Sequence, residues 1–267
     1  MTGRTTRHDS GLTVNHPHPE TTIYTLRKQF RYAYPSPIRN LRQRMIIVPP
    51  ATHGGQKTLS FDLRTSENFP ILNHIHSQGN HVATFNAHSL SKGFSVEMSA
   101  SVLKDNRTTT LFAGDMGQYL KTSRLTTSSP EIQATAAMLF VEAASPREIA
   151  LIVRDYVYRH MKYAFGATSV STTASEAYTI GAGLCQDYAH IMISICRAAG
   201  IPARYVSGHL AGEQGGSHAW VETLYLEEGR VIAEGHDPHE RLFGRITTHL
   251  HRGRPRLRRG RASNRNI

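Results

Sequence analysis

The sequence predicts an α+β chain: a mainly antiparallel β half, then a half built from helices and later strands. Three observations carry this. Apolar residues alternate with polar ones in several short runs between Tyr24 and Val102. After residue 105 the period changes to that of amphipathic helices, each opened by capping residues. Past the last helix, two more strand-like runs follow.

Residues 1–20 are polar and rich in His, Thr and Pro, which reads as a disordered lead-in. From Thr22 onward, Tyr24, Leu26, Phe30, Tyr32 and Tyr34 fall on alternate positions, with Lys28 the one polar interruption, and Pro35-Ser36-Pro37 stops the run. The apolar run Met45–Val48 ends at Pro49-Pro50. Phe61 and Leu63 indicate a further short strand, and Gly79-Asn80 marks a turn before Val82–Phe85. Phe94, Val96, Met98, Ala100 and Val102 then alternate once more, completing a β domain over residues 22–105.

A second domain is expected over 125–240. Ser129-Pro130-Glu131 offers an N-cap with proline at the first helical position, opening a helix to about Glu142. Ser145-Pro146-Arg147-Glu148 repeats the device as a capping box, and Ile149, Ile152, Val153, Tyr156, Val157 and Met161 trace one helical stripe. Ala164–Ile180, rich in Ser, Thr, Ala and Gly, reads as a loop. Gly181-Ala182-Gly183-Leu184 leads into a helix from Cys185 to Ala199, which Gly200 and Pro202 terminate. Arg204–Leu210 and His218–Leu226 read as strands, with a flexible loop at Gly212–Ser217 between them.

The net charge of +11 is concentrated: residues 245–267 hold eight Arg and no Asp, Glu or Lys, leaving about +3 for the rest. This basic tail, 241–267, has three readings: a contact for nucleic acid or another anionic surface, a solvated disordered end, or an out-of-frame stretch. No apolar h-region or membrane-spanning run is present, and two cysteines cannot make a disulfide framework, so a cytoplasmic protein with no membrane contact is expected. Scattered His residues, the absence of His-Glu-x-x-His or Cys-x-x-Cys spacing and the lack of a phosphate loop argue for no metal and no cofactor.

Cys185 follows a glycine-rich turn and begins a helix, where backbone N–H groups and the helix dipole favour a thiolate and could hold an oxyanion. Position alone leaves a small buried core residue equally open. Cys196, eleven residues on and about 16 Å along the same helix, is too far for a disulfide and reads as core. A thiol nucleophile needs a base and the base an orienting partner. His218 opens an apolar strand after a flexible loop, although a surface histidine at a loop end is the plainer reading. Asp237, in Gly235-His236-Asp237-Pro238, could accept from that imidazole or serve only as turn chemistry.

Gly183-Leu184-Cys185-Gln186-Asp187-Tyr188-Ala189-His190, Gly200-Ile201-Pro202-Ala203-Arg204-Tyr205-Val206-Ser207-Gly208, Ser217-His218-Ala219-Trp220-Val221-Glu222 and Asp237-Pro238 stand in an order and spacing that resemble the core of the bacterial transglutaminase-like superfamily. The likeness reaches upstream through Val170-Ser171-Thr172-Thr173-Ala174 to Ser145, and the β half resembles the N-terminal domain of such proteins, so residues 22–240 are covered. The resemblance implies a papain-like core of helices packed on an antiparallel sheet. It implies Cys185 as nucleophile, His218 as general base and acid, Asp237 as the residue orienting His218, and Trp220 and Gln186 as substrate-binding residues. The implied reaction is cleavage or transfer at an amide of a peptide or protein through a thioester, hydrolysis before crosslinking, with no cofactor.

The approach to Asp237, Arg230-Val231-Ile232-Ala233-Glu234-Gly235-His236, and His239 after Pro238 depart from the family pattern, which makes Glu234 the local alternative for the third position. The rival expectations are a peptide-binding member of the fold without turnover and a nucleic-acid binder acting through the basic 245–267 segment.

Overall fold

The computed structural model describes residues 5–7, 13–18, 21–75, 80–91, 93–105, 109–140, 144–210, 217–239 and 245–251. In chain order the N-terminal strands are β1 (Thr5–Arg7), β2 (Thr13–His18), β3 (Thr21–Ala33), β4 (Ile38–Met45), β5 (Thr52–His53), β6 (Gln56–Thr65), β7 (Leu72–Ile75), β8 (His81–Leu90) and β9 (Gly93–Asp105). Then come β10 (Thr109–Leu111), α1 (Pro130–Leu139), α2 (Pro146–His160), β11 (Lys162–Tyr163), α3 (Ala174–Ile180), β12 (Ala182–Gly183), α4 (Cys185–Ala198), β13 (Ala203–Leu210), β14 (His218–Glu227), β15 (Arg230–His236) and β16 (Arg245–His251).

The N-terminal strands make two antiparallel sheets, β1-β2-β3-β9-β6-β5 and β4-β8-β7. Their long axis is the β3–β9 pair, in continuous register from Thr21↔Asp105 to Ala33↔Gly93. Alternation along β9 buries Phe94, Val96, Met98, Ala100 and Val102, as expected for a strand with one face on a core. Phe94 and Val96 meet Leu41 and Met45 of β4 and Phe85 of β8, so the sheets pack face to face through one apolar cluster. Phe94 stacks on Tyr32 at 4.7 Å and meets Phe85 edge-on at 5.5 Å.

Four readings of the sequence are corrected here. The strand near Met45–Val48 is instead β4, which ends at Met45. Asn40 takes φ +55° while the register runs unbroken from Arg39↔Ser89 to Leu41↔Ala87, and the apolar residues Ile38, Leu41 and Met45 do not fall on alternate positions, so the strand shows no clear period in the sequence. The stretch Ala164–Ile180 is not all loop, because a capping box holds the start of α3: Thr173 Oγ1 accepts from Glu176 N at 3.2 Å and Glu176 Oε2 from Thr173 N at 2.8 Å. Thr5–Arg7 and Thr13–His18, inside the expected lead-in, extend the β3 sheet, and Arg245–His251, inside the expected tail, pairs with β13. The seven arginines that follow in residues 252–267 mask its run of Ile246, Thr247, Thr248 and Leu250, residues that suit a strand. Residues 252–267, the Gly212 end of the expected 212–217 loop and the Gly79 half of the Gly79-Asn80 turn lie outside the described residues.

The C-terminal half is a five-stranded antiparallel sheet, β10-β15-β14-β13-β16, with α4 against it and α1, α2 and α3 around α4. From Asp187 to Arg197 every residue of α4 is buried, the state of a helix enclosed on all sides. Ile191, Met192, Ile195 and Cys196 join Val153 and Val157 of α2 and Ala219 and Val221 of β14 in one core. The polar residues of this helix find partners: Ser194 Oγ lies 2.9 Å from Ser128 Oγ, and Arg197 donates to Ala203 O at 2.8 Å and Thr126 Oγ1 at 2.8 Å. No helix among the described residues is long and apolar enough to cross a membrane.

Candidate active site

Cys185 is the first residue of α4, and a local clamp sets where that helix begins. Asp187 Oδ2 accepts from Leu184 N at 2.8 Å and from Thr168 Oγ1 at 2.6 Å, with Asp187 wholly buried. Gly183 is the residue this clamp tolerates: a Cβ there would stand 2.5 Å from Asp187 Oδ2 and 2.8 Å from its Cβ. Gly181, at φ +67°, ends α3 in the left-handed region and lets the chain turn straight into β12. Cys185 is half-buried, whereas Cys196 is sealed in the core, where burial pushes its thiol up to about 12.

His218 opens β14, and Asp237 directly follows β15. These strands are hydrogen-bonded neighbours in register from Glu227↔Arg230 to Val221↔His236, so the end of the pairing delivers Asp237 beside His218. His218 Nε2 donates to Asp237 Oδ2 at 2.6 Å, and both residues are 6% exposed. Burial works against the charged imidazolium; hydrogen bonding to Asp237 and to Cys185, and the attraction of both groups, outweigh it and raise His218 to about 9. With Nε2 committed to Asp237, Nδ1 is the ring nitrogen left for Cys185. Across the sheet His218 faces Gly208, so no side chain opposes it on β13.

The structure therefore brings Cys185, His218 and Asp237 together. Glu234, the local alternative to Asp237, is engaged elsewhere: it accepts from Arg147 Nε at 2.8 Å and from Tyr225 Oη at 2.8 Å. Trp220 is 3% exposed and its ring lies over His218, centroids 6.2 Å apart and 23° from parallel. Gln186 is half-buried, its amide donating to Ser169 O at 3.1 Å, so the 168–169 segment is tied to the start of α4 twice.

Sequence reasoning did not single out Tyr163 and Thr168, quoted Tyr188 only within the motif around Cys185, and marked His239 only as a departure from pattern. His239 N donates to Asp237 Oδ1 at 3.0 Å, and its ring lies 6.1 Å from that of His218, 4.3 Å from Tyr163 and 5.2 Å from Tyr188. The Asp-Pro-His step is the local signal for His239; Tyr188 lies on α4 with Cys185, and Tyr163 comes from β11. Among the described residues no group of His, Cys, Asp or Glu is gathered as a metal ion would require.

A second polar cluster lies farther along β14. Glu222 accepts from His53 Nε2 at 2.5 Å and from Arg204 Nη2 at 2.7 Å, and all three side chains are nearly or fully buried. Burial opposes the Glu222 carboxylate, but the His53 imidazole and the Arg204 guanidinium outweigh it and hold its carboxyl far below the usual range. Arg204 also lies over the Phe112 ring, 5.2 Å from its centroid.

Two family models match the chain: the transglutaminase-like superfamily over residues 133–233 and the bacterial transglutaminase-like N-terminal region over residues 24–103. The chain is 30% identical over 141 residues to an uncharacterised protein of Mycobacterium tuberculosis, a match covering 47% of this chain and 45% of that one. It is 32% identical over 118 residues to a protein-glutamine gamma-glutamyltransferase of Pseudomonas aeruginosa, covering 38% of this chain and 17% of that protein. The matches thus span less than half the length of these relatives. A crystal structure of a candidate cysteine protease from Cytophaga hutchinsonii shares the fold at a TM-score of 0.71 and 22% identity, over 94% of this chain and 84% of that one. The two models fall on the α4-centred half and on the β half, and together they take in most of the chain: it belongs to the transglutaminase-like superfamily, with the bacterial transglutaminase-like N-terminal region preceding the core.

Proposed function

We propose that this chain is a thiol hydrolase or acyltransferase acting at an amide of a peptide or protein, with Cys185 as nucleophile, His218 as proton carrier and Asp237 as the group that orients His218. The observation that carries this reading is the imidazole of His218, hydrogen-bonded on one side to Asp237 and on the other to Cys185 at the start of a buried helix.

In the first half-reaction the Cys185 sulfur attacks the amide carbon and an S–C bond forms. The oxyanion lies at the head of α4, whose first N–H groups have no acceptor within the helix; the backbone N–H of Cys185 and Gln186 are the donors we assign to it. His218 gives its proton to the departing nitrogen as the C–N bond breaks, leaving a thioester. In the second half-reaction His218 takes a proton from water, a C–O bond forms, and the C–S bond breaks to release a carboxylic acid and the thiol. An amine in place of water gives a new amide. Hydrolysis is the principal reaction in this reading, since water needs no docking surface of its own. Trp220, shielded from solvent, acts through His218 by holding the ring, and Gln186 acts through its backbone.

The competing reading, a peptide-binding protein without turnover, rests on the altered residues around Asp237. The 2.6 Å contact between Asp237 and His218 favours the enzyme instead. p-Nitrophenyl acetate, an acyl donor that asks little of a substrate pocket, tests it. A burst of nitrophenol with one acetyl group on the Cys185 peptide is expected, lost in Cys185→Ala and slowed in His218→Ala. No burst from the wild-type chain, or acetyl groups only on other residues, would refute the enzyme reading.

A further inference from the structure

Phe165 is 82% exposed, an unusual position for an aromatic ring so near a reactive centre. It does not stand alone. Phe165 meets Tyr163 edge-on at 5.6 Å, Tyr163 lies against His239 at 4.3 Å, and His239 lies 6.1 Å from His218. The backbone fixes this row. Tyr163 pairs with Gly183 in the parallel β11–β12 ladder, and Ala164 N donates to Gly183 O at 3.0 Å, two residues before Cys185. Gly166, at φ +79°, then turns the chain away and leaves Phe165 at the tip. Tyr163, 46% exposed, offers the next ring inward, so an aromatic strip runs from open solvent to the proton carrier.

We propose that Phe165 and Tyr163 bind the amine half of the substrate and select an aromatic or large apolar side chain next to the amide nitrogen. This rests on Cys185 and His218 being the reacting pair. At the reaction centre the carbonyl carbon is at the Cys185 sulfur and the nitrogen is at the His218 imidazole that protonates it. Groups carried by the nitrogen therefore extend past His218, over His239 and onto the Tyr163 and Phe165 rings. The same surface serves a departing amine and, by reversal of that step, an amine that takes the acyl group.

The test uses the full chain acetylated on Cys185 by p-nitrophenyl acetate and offers two primary amines, 2-phenylethylamine and ethanolamine. Attack by either forms an N–C bond, passes a proton from nitrogen to His218 and breaks the C–S bond, giving the N-acetyl amine; water gives acetate. The readout is the ratio of N-acetyl amine to acetate, which does not depend on how fast each variant is acetylated. The wild-type chain is expected to favour 2-phenylethylamine about fivefold, the worth of roughly one aromatic contact. Phe165→Ala should bring the two amines to near parity, and Tyr163→Phe should keep the preference because the ring remains. Acetylation of Cys185 with equal use of both amines, or a preference unchanged in Phe165→Ala, would overturn the assignment of this strip. A wild-type chain that never acetylates Cys185 would overturn the active-site reading and the strip with it.

Discussion

Asp237 Oδ2 lies 2.6 Å from His218 Nε2, joining two residues that follow one another around a hairpin of neighbouring antiparallel strands, β14 and β15. The contact has a consequence for stability as well as for catalysis. His218 stands at about 9 in the fold against an ordinary value of 6.5, so the folded state favours the imidazolium. A raised value means that the stabilisation is complete below 6.5 and is lost as pH rises through about 9. Urea midpoints measured across that window should fall with rising pH in the wild-type chain and fall less in Asp237→Ala. The same substitution should lower acyl transfer by about 10²–10⁴-fold, the usual reach of a positioned acid–base group. Parallel pH curves and an unchanged rate would contradict the pairing.

The Asp187 clamp predicts a separable effect on Cys185. Asp187→Ala removes the acceptor for Leu184 N and Thr168 Oγ1, at a cost of roughly 1–3 kcal/mol in urea denaturation. It should also slow acetylation of Cys185, because the helix start is no longer fixed. Asp187→Asn keeps an acceptor oxygen and should retain most of both properties. Gly183→Ala should resemble Asp187→Ala, since the added methyl meets the same carboxylate. Wild-type acetylation in Asp187→Ala would show that the clamp does not place the sulfur.

Glu222 joins the two halves of the molecule, because His53 belongs to β5 and Arg204 to β13. His53→Ala leaves one buried carboxylate oxygen without its imidazole and should destabilise by about 1–3 kcal/mol. With a folded value held below the ordinary carboxylate range, Glu222 stabilises above 4.5 and that contribution is lost on acidification below it. The wild-type midpoint should therefore drop more steeply in acid than that of Glu222→Gln. A double-mutant cycle between His53→Ala and Glu222→Gln should give a coupling of about 1 kcal/mol or more; simple additivity would count against the link.

What the sequence made legible was what local chemistry writes. The alternation of β3 and β9, the capping box at Ser145 and the helix from Cys185 to a left-handed Gly200 (φ +77°) are all readable within a few residues. Illegible elements have broken or faint local signals. β4 hides behind the left-handed Asn40 and the exposed Arg39, Arg42 and Arg44, while α3 is seven residues of small and polar composition. In the site, Cys185, His218 and Asp237 lie in motifs whose order is visible in the chain. Tyr163 and His53 reach their partners only through folding, His53 across 169 positions to Glu222, with nothing in their neighbourhoods to announce it.

The most direct measurement of the central claim is the iodoacetamide reaction of the native chain at mildly acidic pH, followed by mass spectrometry of both cysteine peptides. Cys196 is fully buried with its thiol pushed up to about 12, so it should remain unmodified. Cys185 should react at least about tenfold faster than it does in His218→Ala, which removes the imidazole hydrogen-bonded to its side chain. Equal rates for Cys185 in the wild-type and His218→Ala chains would contradict the account.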